Sequence, residues 1–125
     1  PVVVDHMGHL SAGRALGDPG FGRLLGLVRD GLAWVKLSGC DRVSTQHPDY
    51  RDAIPMARAL IEAGPERMVW GTDWPHVSKA ANMPNDTVLL DRLADYAPDP
   101  ALRRAILVDN PARLYGFAPA TGAIP

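Results

Sequence analysis

Three short runs of the chain are apolar almost throughout: Val2-Val3-Val4, Ala33-Trp34-Val35-Lys36-Leu37 and Met68-Val69-Trp70. Runs of this length without polar alternation predict strands buried on both faces, as parallel strands are. Between them the spacing becomes helical. Phe21, Leu24, Leu25 and Val28 share one face of a stretch that ends at Gly31, a residue suited to a left-handed C-cap. Ala53, Ile54, Ala57, Leu60 and Ile61 form a second stripe, stopped by Gly64-Pro65. Pro55 is tolerated only in a first helical turn, which places that start around Ile54. Further on, Asn85-Asp86 precedes Val88, Leu89, Leu90 and Leu93, and Asp99-Pro100 precedes Leu102, Ile106 and Leu107. Each pairs a capping side chain with an apolar stripe. Asn110-Pro111 predicts one last turn, with Asn110 as its cap and Gly116 closing it. The Ala, Pro and Gly tail is expected to fray, which gives one domain over residues 1–117 and a tail over 118–125.

The order strand, helix, repeated three times, predicts an α/β fold with a parallel sheet. The strand ends recur at His6, Ser38 and Asp73, spacings of 32 and 35 residues. An eight-unit barrel of ~250 residues has roughly 31 per unit. Three strands do not close a barrel, and an open sheet of three exposes apolar edges. The expectation is therefore the C-terminal part of a (β/α)8 TIM barrel, about three βα units plus terminal helices, with the remaining strands upstream.

Composition narrows the function. The chain is 46% apolar, and its 13 basic and 14 acidic side chains give a net charge of -1. No basic run is present to hold nucleic acid, and no apolar run approaches the ~20 residues of a membrane span. The single cysteine, Cys40, excludes an internal disulfide, and the N-terminal residues do not read as a secretory leader. The cytoplasm is the expected compartment.

Each predicted strand runs directly into polar residues: Asp5-His6-Met7-Gly8-His9, Ser38-Gly39-Cys40-Asp41-Arg42 and Thr72-Asp73-Trp74-Pro75-His76. In parallel α/β folds such strand ends converge on one face, where function sits. His6 fits a metal ligand, an electrophile or a general base; the plainer alternative is a ring that only bonds a neighbouring loop. Asp73 is followed by bulky Trp74-Pro75, expected to exclude water from a working carboxylate; the alternative is a cap or an arginine partner. Arg42 fits a clamp on an anionic substrate, although most of the eleven arginines must be solvated surface. His76 fits a substrate donor or an orienting residue, while His9 and His47 read as loop residues. Cys40 has no activating base in sequence and reads as a small filler. Ser38 lacks a nucleophile-elbow pattern, and the glycines do not form a phosphate or dinucleotide loop. No histidine pair has zinc-site spacing on one element.

Three segments together, Val2-Val3-Val4-Asp5-His6-Met7-Gly8, Trp70-Gly71-Thr72-Asp73-Trp74-Pro75-His76 and Asn110-Pro111-Ala112-Arg113-Leu114-Tyr115-Gly116-Phe117, resemble the C-terminal half of the amidohydrolase-related hydrolase superfamily. Within it the chain is most similar to the 2-pyrone-4,6-dicarboxylate lactonase group of aromatic degradation, (β/α)8 barrels that open a cyclic ester. The resemblance implies Asp73 as general base for water, His6 as its catalytic strand-end partner, Arg42 on a substrate carboxylate and His76 in an accessory role at the substrate. It implies a small carboxylated substrate and no cofactor, since the lactonase works without a bound metal. The alternatives are a metal-dependent decarboxylase or amidohydrolase, with zinc or manganese on His6 and Asp73, and an inactive truncated barrel kept as an interaction module. The family's His-x-His strand is not among these 125 residues. The isolated segment is expected to be inactive and poorly soluble, and its oligomeric state stays open.

Overall fold

The computed structural model describes residues 1–77 and 79–118. Most of the predicted tail therefore lies outside the described residues. Strands β1 (Val2–Val4), β2 (Ala33–Leu37) and β3 (Met68–Trp70) form one sheet in the order β1-β2-β3. Both pairings are parallel: Val3 lies opposite Trp34, and Lys36 opposite Val69. Helices α1 (Ala12–Ala15) and α2 (Pro19–Arg29) connect the first pair of strands. Helices α3 (Cys40–Val43) and α4 (Ile54–Ala63) connect the second pair. Helix α5 (Asp86–Tyr96) follows β3, and α6 (Pro100–Arg104) and α7 (Asn110–Tyr115) complete the described chain. The α/β class read from the sequence is the class observed.

The helix starts follow local chemistry. The carboxylate of Asp18 accepts from Gly20 N–H at the head of α2, the Asn85 side chain from Thr87 N–H at α5, and Asp99 from Ala101 N–H at α6. Each satisfies a backbone donor that has no intrahelical acceptor. Pro55 sits in the first turn of α4, as its missing N–H requires.

One core lies between the sheet and its helices. Val35, Leu37 and Met68 from the strands pack with Phe21, Leu24 and Val28 of α2, Ala57 and Leu60 of α4, and Leu89 and Leu93 of α5. The period of two along β2 sends Trp34 and Lys36 to the other face. There Trp34 is buried beneath two guanidinium groups, Arg67 at 5.1 Å and Arg113 at 5.3 Å from its ring. Lys36 reaches Asp5 at 2.7 Å, which lowers the Asp5 pKa below the ordinary carboxylate value.

The C-terminal region departs from the sequence reading. Asn110 does not cap a new helix. Backbone angles stay helical from Arg104 through Asn110, and residues Ala105–Asp109 widen into a π-helical segment that joins α6 to α7. Pro111 accounts for the widening, because a proline inside a regular helix removes one ladder bond and collides with the carbonyl four residues back. Freed from capping, the buried Asn110 amide donates to Pro65 O at 2.8 Å and to Met68 O at 2.7 Å, and its oxygen accepts from Arg113. Gly116 closes the turn as expected, with φ 73°. No described helix is long and apolar enough to cross a membrane.

Candidate active site

His6, Ser38, Arg42 and Asp73 come from the ends of three different strands and meet. The chain leaves β1 through His6, Met7, Gly8 and His9, all with positive φ, so it turns sharply as soon as it clears the sheet. Positive φ at a non-glycine residue costs energy and collects at working sites. Met7 anchors this turn by burying its side chain completely. His6 Nδ1 lies 2.9 Å from Ser38 Oγ at the end of the neighbouring strand. Its Nε2 lies 3.6 Å from Asp73 Oδ1. Asp73 itself has φ 71°, the third strand ending in the same left-handed way.

Burial lowers the His6 pKa below the ordinary 6.5, Asp73 pulls it upward, and His9 and Arg42 lower it further. The ring is therefore neutral at neutral pH. A neutral ring carries its proton on one nitrogen, and the Asp73 carboxylate favours Nε2–H on the side facing it. Nδ1 then accepts the Ser38 hydroxyl proton. Ser38, which lacks a nucleophile-elbow pattern, has its place behind His6, holding the tautomer.

Gly39 makes this approach possible. It has φ +66°, and a Cβ there would stand 2.7 Å from His6 Nδ1. Gly39→Ala is expected to displace the imidazole and lower the activity of the whole protein roughly 100-fold, the cost of a misplaced reacting group of about 1 Å. The measurement is steady-state kinetics beside a circular dichroism spectrum; near-wild-type kcat would show that the ring tolerates the shift.

Arg42 Nε donates to Asp73 Oδ2 at 2.5 Å. The guanidinium thus holds one carboxylate oxygen and leaves the other toward His6. Among the described residues neither terminal amino group of Arg42 is used, so both remain to face a ligand anion. His76 is not brought to this cluster through its ring. The ring is buried, with Nε2 2.8 Å from Asp86 Oδ1 in the first turn of α5, and only the backbone N–H reaches back to Asp73 O. Trp74 is 75% exposed and does not wall off Asp73. Cys40 is buried and its thiol is pushed up to about 11 by that burial, which leaves it unreactive. His9 stacks edge-on against His6 with ring centroids 4.7 Å apart.

The amidohydrolase family model matches residues 1–117, essentially the whole described chain. The chain belongs to the amidohydrolase family.

Within that family this amidohydrolase chain is 45% identical over 118 residues to 4-sulfomuconolactone hydrolase from Hydrogenophaga intermedia, covering 93% of this chain and 39% of that protein. It is 39% identical over 123 residues to the 2-pyrone-4,6-dicarboxylate hydrolase of Comamonas testosteroni, covering 91% and 40%. Among solved structures, an apo protein from Agrobacterium tumefaciens superimposes with a TM-score of 0.79 at 34% identity, over 94% of this chain and 42% of that one. A structure from Acinetobacter baumannii, described as a probable 2-pyrone-4,6-dicarboxylic acid hydrolase with citric acid bound, gives 0.78 at 27% identity over 93% and 43%. The chain spans about 40% of the length of these relatives. Its three parallel βα units are thus the barrel portion expected from the strand-end spacing.

Proposed function

We propose that this chain supplies the Asp73, His6 and Arg42 corner of a lactone hydrolase, acting in the whole protein on a small anionic lactone such as 2-pyrone-4,6-dicarboxylate. The observation that carries the reading is the convergence of three strand ends. Asp73 Oδ1 and His6 Nε2 stand 3.6 Å apart, too far for a direct hydrogen bond and wide enough for a reacting oxygen to approach both.

In this reading Asp73 accepts the proton of an attacking water while the Nε2–H of neutral His6 polarises the ester carbonyl. The water oxygen bonds the carbonyl carbon, the ring C–O bond breaks, and the proton held on Asp73 passes to the departing ring oxygen. An open-chain acid results. Arg42 orients Asp73 through Nε and offers its free amino groups to a substrate carboxylate. The relatives named for a sulfonated and a dicarboxylated lactone, and the citric acid in the Acinetobacter structure, support an anionic substrate.

A second reading puts zinc or manganese between His6 and Asp73, and their 3.6 Å separation suits two ligand bonds of about 2.0–2.2 Å to one ion. A catalytic zinc takes three protein ligands, so a third would have to come from outside these 125 residues, as from the His-x-His strand that the family resemblance implies. The Arg42 cation on the same carboxylate also repels a metal ion. That repulsion is the observation that favours the metal-free mechanism.

The test is turnover of 2-pyrone-4,6-dicarboxylate by the whole protein before and after metal removal. Activity that survives chelation supports the reading; activity lost on chelation and restored by zinc or manganese transfers it to the second; no hydrolysis of any anionic lactone overturns both. The same assay checks the state of His6. Because burial depresses its pKa, the ring stays neutral as pH falls through 6.5 and gains a proton only below. Loss of kcat/KM on the acid side is expected below pH 6.5, not above it.

A further inference from the structure

The loop that follows β3 is fastened to the body of the protein through one ring. Of described residues 71–83, His76 alone is buried, while its neighbours Trp74, Pro75 and Val77 are exposed. The imidazole Nε2 lies 2.8 Å from Asp86 Oδ1, and because a carboxylate oxygen accepts, the ring is the donor. Asp86 opens α5, and α5 is seated in turn by Leu89 and Leu93 in the core. The ring thus ties an otherwise exposed loop to a packed helix.

The tie falls at the end of the turn that carries Asp73. The His76 N–H donates to the Asp73 carbonyl at 2.9 Å, and the Trp74 N–H donates to Thr72 Oγ1 at 3.1 Å. Both ends of this turn are left-handed, with φ 71° at Asp73 and 55° at His76. Such angles are costly at residues that carry a Cβ, and they persist only where the surroundings over-determine them. Arg42 constrains the Asp73 end through Oδ2. At the other end the constraint is the buried His76 ring; the next tie, from Lys79 to the Asp41 carbonyl at 3.0 Å, comes three residues further on. Released from Asp86, the His76 end is free to leave the left-handed region, and the Asp73 carboxylate moves with the turn.

We propose that His76, tethered through its ring to Asp86, is a positioning residue for Asp73: it holds the left-handed turn that presents Oδ1 to His6 and Oδ2 to Arg42. The ring itself does not touch the Asp73 carboxylate. This role rests on Asp73 being the base of the lactone reading.

The test uses the whole protein. His76→Phe keeps a buried aromatic ring and removes the bond to Asp86, Asp86→Ala removes the same bond from the half-exposed side, and His76→Gln restores a donor near the place of Nε2. In turnover of 2-pyrone-4,6-dicarboxylate, His76→Phe is expected to lower kcat about 10–100-fold with KM changed less than about twofold, the larger loss matching a misplacement of about 1 Å. His76→Gln is expected to recover most of that loss. Asp86→Ala should lower kcat in the same way, and combining it with His76→Phe should cost nothing more, since both remove one bond. Added to Asp73→Asn, His76→Phe is likewise expected to cost nothing further, because no base is left to position. A crystal structure of His76→Phe is expected to show Asp73 Oδ1 displaced from His6. An unmoved Asp73, a glutamine variant no better than phenylalanine, or an equal loss with and without Asp73 would overturn the proposal. Wild-type kcat in His76→Phe beside an inactive Asp73→Asn overturns the positioning role alone; wild-type kcat in Asp73→Asn removes the general base first. Circular dichroism checks that each variant is folded, and where His76→Phe is not, Asp86→Ala makes the same kinetic and structural test.

Discussion

Replacing Asp73 with asparagine in the whole protein is expected to lower kcat for lactone hydrolysis by roughly 10²–10⁴-fold, the range for loss of a positioned general base. The reason is chemical, because an amide does not take up the water proton. It is not structural: the amide oxygen still accepts the Arg42 Nε–H that Asp73 Oδ2 accepts, and the side chain has the same shape. KM and the thermal midpoint should therefore change little while kcat collapses. Retention of kcat would remove Asp73 from the proton transfer, and a matching fall in thermal midpoint would make its role one of architecture. Arg42→Lys separates the two contributions of the ion pair. Lysine keeps the charge but loses the planar fork, so a rise in KM for the anionic lactone is expected to exceed any loss in kcat.

Asn110→Ala is expected to cost about 3 kcal/mol of folding stability. Two carbonyl oxygens, that of Pro65 and the buried one of Met68, lose their donor at once, and Arg113 loses a partner. Each lost bond is worth about 1 kcal/mol net, and leaving a buried carbonyl unsatisfied adds to that. Against the 5–15 kcal/mol that holds an ordinary domain together, this is a large fraction. The effect reaches the site because Met68 opens β3, the strand that leads into the segment carrying Asp73. Urea unfolding of the whole protein, wild type against variant, checks it through a lower midpoint at unchanged slope. A shift below about 1 kcal/mol would mean that water replaces the amide. The kcat/KM pH profile of the folded variant should match the wild type, since no titrating group is touched.

Much of the architecture was legible because it is encoded over short distances. Apolar runs without alternation became the parallel strands, and Asn85 and Asp99 mark helix starts through contacts two residues away. The meeting of His6 and Asp73 was legible for a related reason: parallel strands send all their C-terminal ends to one face. Asn110 departs from the same local logic: Asn before Pro is a common cap, but its amide instead reaches residues more than 40 positions earlier. The shielding assigned to Trp74 failed likewise, since bulk next to a residue in the chain does not place bulk over it in space.

By itself, then, the sequence determined the α/β class, the order of the elements, the family and the strand-end placement of His6, Arg42 and Asp73. These follow from periodicities of two and 3.6 residues, from capping chemistry and from motif spacing, all readable along one dimension. Only the tertiary structure decided that Arg42 spends its Nε on Asp73, that Ser38 and Gly39 seat the His6 ring, and that His76 turns to Asp86. The His76 contact spans ten residues and the others more than 30, and all are set by how the elements pack rather than by any neighbour in the chain.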